Sequence, residues 1–171
     1  MRPRDPFADP ERLIRRVYAY VAYRIGEGAD AEDVTAEAIE RALKYKDSYD
    51  DAKGEAAAWV IGIARRVLMS HPVREQAALL DDEIAGSDEV EESAVRRLSV
   101  RSAVERLSDR DQELVALRYG ADLSAREIGL LLEMKTNAVE VALHRAIERL
   151  RTELAAGPTV RPRPIVQPAS D

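Results

Sequence analysis

The sequence predicts an all-α protein made of two small helical domains joined by an acidic linker. Three observations carry this expectation. Apolar residues recur at helical spacing through most of the 171 residues, β-branched runs are few, and the excess negative charge is confined to one short stretch. The formal net charge is -6, yet residues 73–95 hold 1 basic and 8 acidic groups, a local net of -7. Residues 1–72 hold 12 basic and 13 acidic groups, and residues 96–155 hold 11 and 10. The two flanking parts are near neutral, so bulk charge neither favours nor excludes a bound polyanion.

The elements follow in order. Residues 1–9 read as a flexible N-terminus. Pro10 suits the first turn of a helix reaching about Ile25, with Leu13, Val17, Tyr20 and Arg24 along one side. "GEGAD" stops it, and Asp30 is the expected N-cap of a second helix ending near Tyr45. "KDSYDDAKG" reads as a loop. A third helix, about Glu55 to His71, carries Trp59, Ile63, Val67 and Met69 and should stop before Pro72. "LLDDEIAGSDEVEES" then has seven carboxylates and no cation between Asp81 and Glu92, the pattern of a solvated linker over residues 75–93. Helix resumes near Ala94 and runs to Leu107. "SDRDQELVALRYG" follows, capped by Ser108 and stopped at Gly120. "LSAREIGLLLE", capped by Ser124, precedes a last helix reaching about Leu154, and residues 156–171 hold four of the eight prolines and read as a disordered tail.

Composition removes several function classes. The absence of cysteine rules out disulfides and thiolate metal sites. No apolar run approaches the roughly 20 residues that cross a bilayer, and no signal-peptide profile opens the chain, so a cytoplasmic protein without a membrane role is expected. The two histidines lie far apart and no Gly-rich phosphate loop is present. No catalytic residue, metal site, cofactor or small-molecule substrate is therefore expected, and the chain does not read as an enzyme.

The last two helices form a helix-turn-helix arrangement: a capped helix, a tight turn and a longer helix within about 30 residues. At 3.6 residues per turn, Val139, Leu143, Ala146, Ile147 and Leu150 share one face. Asn137, Val141, His144 and Arg145 share the opposite face, with Glu140 at its border, and that face would enter a major groove. Lys135, Thr136 and Asn137 put a cation, a hydroxyl and an amide at the helix N-terminus, where backbone N–H groups also favour phosphate. A plain hairpin whose polar face meets only water is the alternative reading of the same periodicity. "AVERLSDRDQELVALRYGADLSAREIGLLLEMKTNAVEVALHRAIERLRTEL" resembles the promoter -35-reading domain of bacterial extracytoplasmic-function sigma factors, which read like LPxxxRevlxLRyxxglSxxEIAexLgiSxgTVKSRLHRA. The resemblance implies -35 contacts at Ser124, Arg126, Glu127, Lys135, Thr136, Asn137, Glu140, Val141, His144 and Arg145.

In the first unit, "GADAEDVTAEAIERAL" resembles the polymerase-binding helix of the same family, usually near DAEDLVQEVFLRLW. Asp30, Glu32, Asp33, Glu37 and Arg41 match it, and they make an acidic face suited to docking on a basic coiled coil. As an isolated segment they would read first as a capped and solvated helix with pairs such as Glu37–Arg41. "AAAWVIGIARRVLMSHPVR" resembles the stretch that melts and reads the promoter -10 element, usually near FRAWLYRIARNLALDHLRR. The resemblance implies -10 contacts at Tyr49, Trp59, Arg65, Arg66, Ser70, His71 and Arg74. Arg65 and Arg66 suit phosphates, and the loop with Tyr49 suits an unstacked base. Read alone, Trp59 is a core residue and His71 a helix-end cation.

Both units stand in family order, across roughly residues 10–155. The resemblance thus implies an alternative sigma factor whose partners are core RNA polymerase (its beta and beta-prime subunits), promoter DNA and, where one exists, an anti-sigma factor. It places residues 10–74 as the polymerase- and -10-binding domain, 94–155 as the -35-binding domain, and the acidic linker in the polymerase channels. Departures cluster in the DNA-reading parts. Ala56, Ala57 and Gly62 replace Phe, Arg and Arg, Ser70 replaces Asp, and Ala138, Glu140, Val141 and Ala142 replace Thr, Lys, Ser and Arg. Glu133 stands where Gly is usual. Each lost phosphate cation removes about one released counterion, so an atypical -35 preference and weak binding by the isolated second unit are expected. The same depletion supports a competing reading, a sigma mimic that engages an anti-sigma factor. A stand-alone helix-turn-helix repressor would leave the first unit unexplained, and an all-α carboxylate enzyme would leave the acidic cluster without a partner.

Overall fold

The computed structural model describes residues 5–70 and 98–157, and every described element is helical. The expected linker 75–93, His71, Arg74 and nearly all of the proline-rich tail lie outside the described residues. Helix α1 spans Pro10–Ile25, α2 Ala29–Lys44 and α3 Ala56–Ser70. Helix α4 covers residues 98–105, α5 Asp109–Val115, α6 Ala125–Leu132 and α7 Thr136–Ala156.

Helix α1 starts where its sequence says it should. The Asp9 side chain accepts from the Arg12 N–H at 3.1 Å, Pro10 follows, and Gly26 with φ 88 ends the helix. The start of α2 differs from expectation. Its N-cap is Gly28, without a side-chain cap, and Asp30 lies inside the first turn, where a carboxylate still meets the positive end of the helix dipole. In α3 the buried stripe is Ala57, Val60, Ile61, Ala64 and Val67. Trp59 and Ile63 are half-buried, and Met69 is 75% exposed, contrary to the expected stripe. The helix is flanked by α1 and α2, so its apolar arc is centred one position away from Trp59.

The second unit is held by caps and by two ion pairs that tie α7 to the start of the unit. Ser108 accepts from Asp111 N, and the Asp111 carboxylate, 5% exposed, receives Arg149 Nη1 at 2.9 and 2.8 Å. Arg106 ties the start of the unit to the end of α7, donating to Glu153 Oε2 at 2.6 Å and to the Glu153 carbonyl at 2.9 Å. Leu107, Val115 and Ala146 are buried together between α5 and α7, with Ile147 and Leu150 against them.

After Val115 the helix widens into a π turn, Ala116–Gly120, in which Ala121 N donates to Ala116 O at 2.9 Å. Gly120 does end the helix, but its role is contact. A Cβ there would lie 3.0 Å from the Ala19 carbonyl oxygen and 3.1 Å from the Ala19 carbonyl carbon in α1. The two units consequently share one apolar core. Leu114, Leu117, Leu123 and Ile128 from the second are continuous with Val17, Tyr20, Val60 and Ile61 from the first. Arg16 reinforces the seam, donating from Nε to the Ala121 carbonyl at 2.7 Å and from Nη2 to the Asp122 carbonyl at 3.0 Å.

The turn between α6 and α7 is tight. A Cβ on Gly129 would sit 2.6 Å from the Met134 carbonyl oxygen, so this position needs glycine to let the chain return. Glu133 takes the left-handed conformation, φ 56 and ψ 40. A side chain there costs about 1 kcal/mol relative to glycine. Glu133→Gly should therefore raise the unfolding free energy by about 0.5–1 kcal/mol and the melting temperature by about 2 °C, as measured by calorimetry. An unchanged or lowered melting temperature would contradict the strain at this turn.

Candidate polymerase-binding and nucleic-acid interfaces

The acidic face of the first unit lies on α2. Glu32 and Asp33 are exposed, Asp30 and Glu37 are partly exposed, and Arg41 pairs with Glu37 one turn away. The opposite side of the helix buries Ala31, Val34, Thr35, Ala38 and Ala42. Small buried residues bring α2 close to its neighbours and leave the carboxylates as its outer surface. The five residues expected to dock on a polymerase thus share one helix.

The residues expected to meet the -10 element divide into three groups. Tyr49 and Trp59 lie together, their ring centroids 5.4 Å apart and their planes tilted by 45°. The Tyr49 phenol donates to the Gly54 carbonyl at 3.1 Å, which fixes the loop against α3. Arg66 is exposed, and the Ser70 hydroxyl bonds back to the Arg66 and Val67 carbonyls at 3.2 and 2.9 Å. Arg65 is partly exposed and paired across the seam. Its Nε donates to Glu113 Oε1 of the second unit at 3.1 Å.

The second unit presents the helix-turn-helix. The Ser124 hydroxyl accepts from Glu127 N, and Glu127 Oε2 accepts from Ser124 N at 2.8 Å and Ser124 Oγ at 2.6 Å, a complete capping box. Partial burial pushes the Glu127 carboxyl pKa up, but the bonds from Ser124 and the nearby Arg16 charge outweigh this and hold it below the usual carboxylate range. Ser124 and Glu127 are thus committed to starting α6. Arg126, Lys135, Thr136, Asn137, Glu140, Val141, His144 and Arg145 are exposed, while Val139 and Ala146 are buried. The predicted two faces of α7 are therefore those of the folded chain. Between α7 and the π turn runs an open groove lined by Arg118, Tyr119, Ser124, Glu140, His144 and Arg151.

The sequence reading missed a cluster at the seam. Glu113, 14% exposed, takes Arg65 Nε and the Tyr20 phenol (2.9 Å) on Oε1 and Arg24 Nε (3.1 Å) on Oε2. Burial, with the Glu113 carboxylate beside it, pushes the Tyr20 phenol pKa far up, so it stays a donor. One signal was present: a phenol and a cation, Tyr20 and Arg24, on the stripe of α1 that buries Leu13 and Val17. Among the described residues no group of three or more His, Asp or Glu could hold a metal ion, and no helix is long and apolar enough to cross a membrane.

Known proteins divide the chain in the same way. The family model described as Sigma-70 region 2 matches residues 11–77, and that of Sigma-70, region 4 matches residues 97–150. The ECF RNA polymerase sigma factor BldN of Streptomyces coelicolor is 30% identical over 143 residues, covering 78% of this chain and 54% of its own length. The chain thus spans about half of that relative. The ECF RNA polymerase sigma factor SigW of Bacillus subtilis is 27% identical over 168 residues, covering 88% of this chain and 89% of its own length. Among solved structures, the sigma factor RpoE in complex with the anti-sigma factor NepR from Bartonella quintana superposes with a TM-score of 0.65 at 17% identity. That alignment covers 84% of this chain and 92% of the other, a likeness of fold. With both regions matched in order and the relatives all of one kind, the chain belongs to the sigma-70 family, in its extracytoplasmic-function branch.

Proposed function

We propose that the chain is an alternative sigma factor, binding core RNA polymerase and directing promoter-specific initiation without catalysing a reaction itself. The observation that supports this best is α7, whose buried Val139 and Ala146 anchor it while Asn137, Glu140, Val141, His144 and Arg145 form a free outer face. A helix held by its inner face beside a tight turn is the geometry that enters a major groove. Only Lys135 and Arg145 bring cations to that stretch, with His144 beside them, so the -35 preference is atypical and much of the affinity comes from polymerase. Val141, 44% exposed, suits a thymine methyl rather than a hydrogen-bonded base.

Adding the purified chain to core polymerase and sequencing transcripts from genomic fragments tests this reading. Discrete new start sites are expected; an unchanged transcript pattern would overturn it. The scarcity of cations in the stretch 135–145 supports a second reading, a mimic that occupies an anti-sigma factor. It predicts a stable complex with such a protein and no new transcripts. An anti-sigma partner fits both, since the superposed RpoE is bound by one. Docking through α2 has its own test. Glu37→Lys puts a third cation beside Arg41 and Lys44 and removes a carboxylate from the proposed contact. Polymerase affinity should fall several-fold, measured by fluorescence anisotropy, with the helix content unchanged. Equal affinity would exclude α2 as the docking face.

A further inference from the structure

The groove beside α7 follows one stripe of that helix. Glu140, Leu143, His144, Ile147 and Arg151 line it from α7, and Tyr119 lines it from the π turn. Leu143 and Ile147 are half-buried and Tyr119 is 56% exposed, so the groove joins apolar surface and an open aromatic ring to polar neighbours. Helix α7 ends in Gly157, whose φ of 73 turns the chain off the helix axis. Residues 158–168 follow, PTVRPRPIVQP, with four prolines, Val160, Ile165, Val166, two arginines and no carboxylate. The stretch from Glu140 to Gly157 is about 26 Å of helix at about 1.5 Å per residue. An extended proline-rich chain covers that length in about eight residues, so segment 158–168 reaches the far end of the groove with about three residues left for the reversal.

We propose that segment 158–168 of the same chain lies in this groove, along α7 and across Tyr119, and competes there with the -35 duplex. The competition rests on reading the outer face of α7 as DNA-binding; the seating of the segment does not. Proline fixes its own φ, so such a chain loses little entropy on being laid out straight, and proline-rich segments dock on open aromatic rings. Glu140 and Glu148, both exposed along α7, offer carboxylates to Arg161 and Arg163. The tether supplies an effective concentration in the millimolar range, so a groove too weak to capture a free peptide still holds its own chain. Once seated, the segment covers Glu140 and His144, two residues of the proposed -35 face. Segment and duplex then exclude one another.

The chain has no cysteine, so Val166→Cys in the full chain takes a single nitroxide label, and broadened amide signals report the surface it visits. Amides from Glu140 to Ile147 and those of the π turn should broaden, and those of α2 should not. Tyr119→Ala, a change at an exposed side chain that leaves the core intact, should remove most of the broadening. Broadening confined to the last turn of α7, or spread evenly over the surface, would overturn the seating. Broadening passed from a spin-labelled copy to a separate isotope-enriched copy would put the segment on a neighbouring chain and overturn it equally. The competition is read by anisotropy on a promoter duplex. Deleting residues 158–171 removes two arginines and one aspartate, so bulk electrostatics alone predicts weaker binding. Competition predicts the opposite sign, binding about three- to tenfold tighter. Unchanged or weaker binding after the deletion would overturn the competition. Start sites are sequenced separately, so a chain that opens no promoter yet keeps the broadening loses the proposed function and keeps the seated segment.

Discussion

Leu117→Ala should lower the unfolding free energy by about 3 kcal/mol, and the loss should register in both units. Leu117 is fully buried in the π turn and belongs to the core that includes Val17, Tyr20 and Ile61 of the first unit. Removing its isobutyl group loses the transfer free energy and leaves a cavity in the shared core. Against a total of about 5–15 kcal/mol for a folded domain, this is a large fraction. Trp59 is the single tryptophan and lies in α3, so its fluorescence follows the first unit alone. In urea the Trp59 midpoint should move down by about 1–2 M, together with the helical circular dichroism. If the dichroism shifts and the Trp59 transition does not, the two units fold independently and the shared core has no energetic weight.

Most of the fold was legible because its signals are local. Pro10 and Gly26 bound α1, Ser108 and Ser124 cap α5 and α6, and Val139 and Ala146 mark the inner face of α7 by spacing alone. Asp30 was misread because it is one of several carboxylates near a glycine, and Gly28 takes a φ of 122 that ends the loop without a side-chain cap. Met69 was misread because a helical stripe gives the period of the apolar residues but not which arc the neighbouring helices cover. The joining of the two units was invisible for a different reason. Its determinants, Gly120 against Ala19, Arg16 on the Ala121 carbonyl and Glu113 among Tyr20, Arg24 and Arg65, are separated by about 50 to 105 residues and have no periodic signature. The exposed faces of α2 and α7 were readable as surfaces, whereas the state of Arg65 was not. A cation on a polar helix position reads as solvent- or DNA-facing until its partner from another unit is seen.

Glu140→Lys should tighten binding of the full chain to duplex DNA by about tenfold near 0.1 M salt. Glu140 is exposed on α7 and lines the groove that also holds His144, Arg118 and Arg151, so it places a negative charge among cations where a phosphate backbone would run. Reversal removes that repulsion and adds one phosphate contact, which for duplex DNA contributes about 0.9 to the log–log salt slope. Stability should change little, since the side chain is solvated and the helix interior tolerates Lys as well as Glu. The gain should be nearly uniform across sequences, because a phosphate contact positions the helix without reading bases. Base preference should instead follow Val141, where a hydrogen-bonding side chain would replace an apolar contact. Salt-dependent anisotropy on a promoter duplex and on a scrambled duplex separates the two effects. A steeper slope on both places the outer face of α7 against the DNA backbone. An unchanged slope would mean that this face never approaches phosphate, and would shift the weight of the argument from an altered promoter reader to the protein-binding mimic.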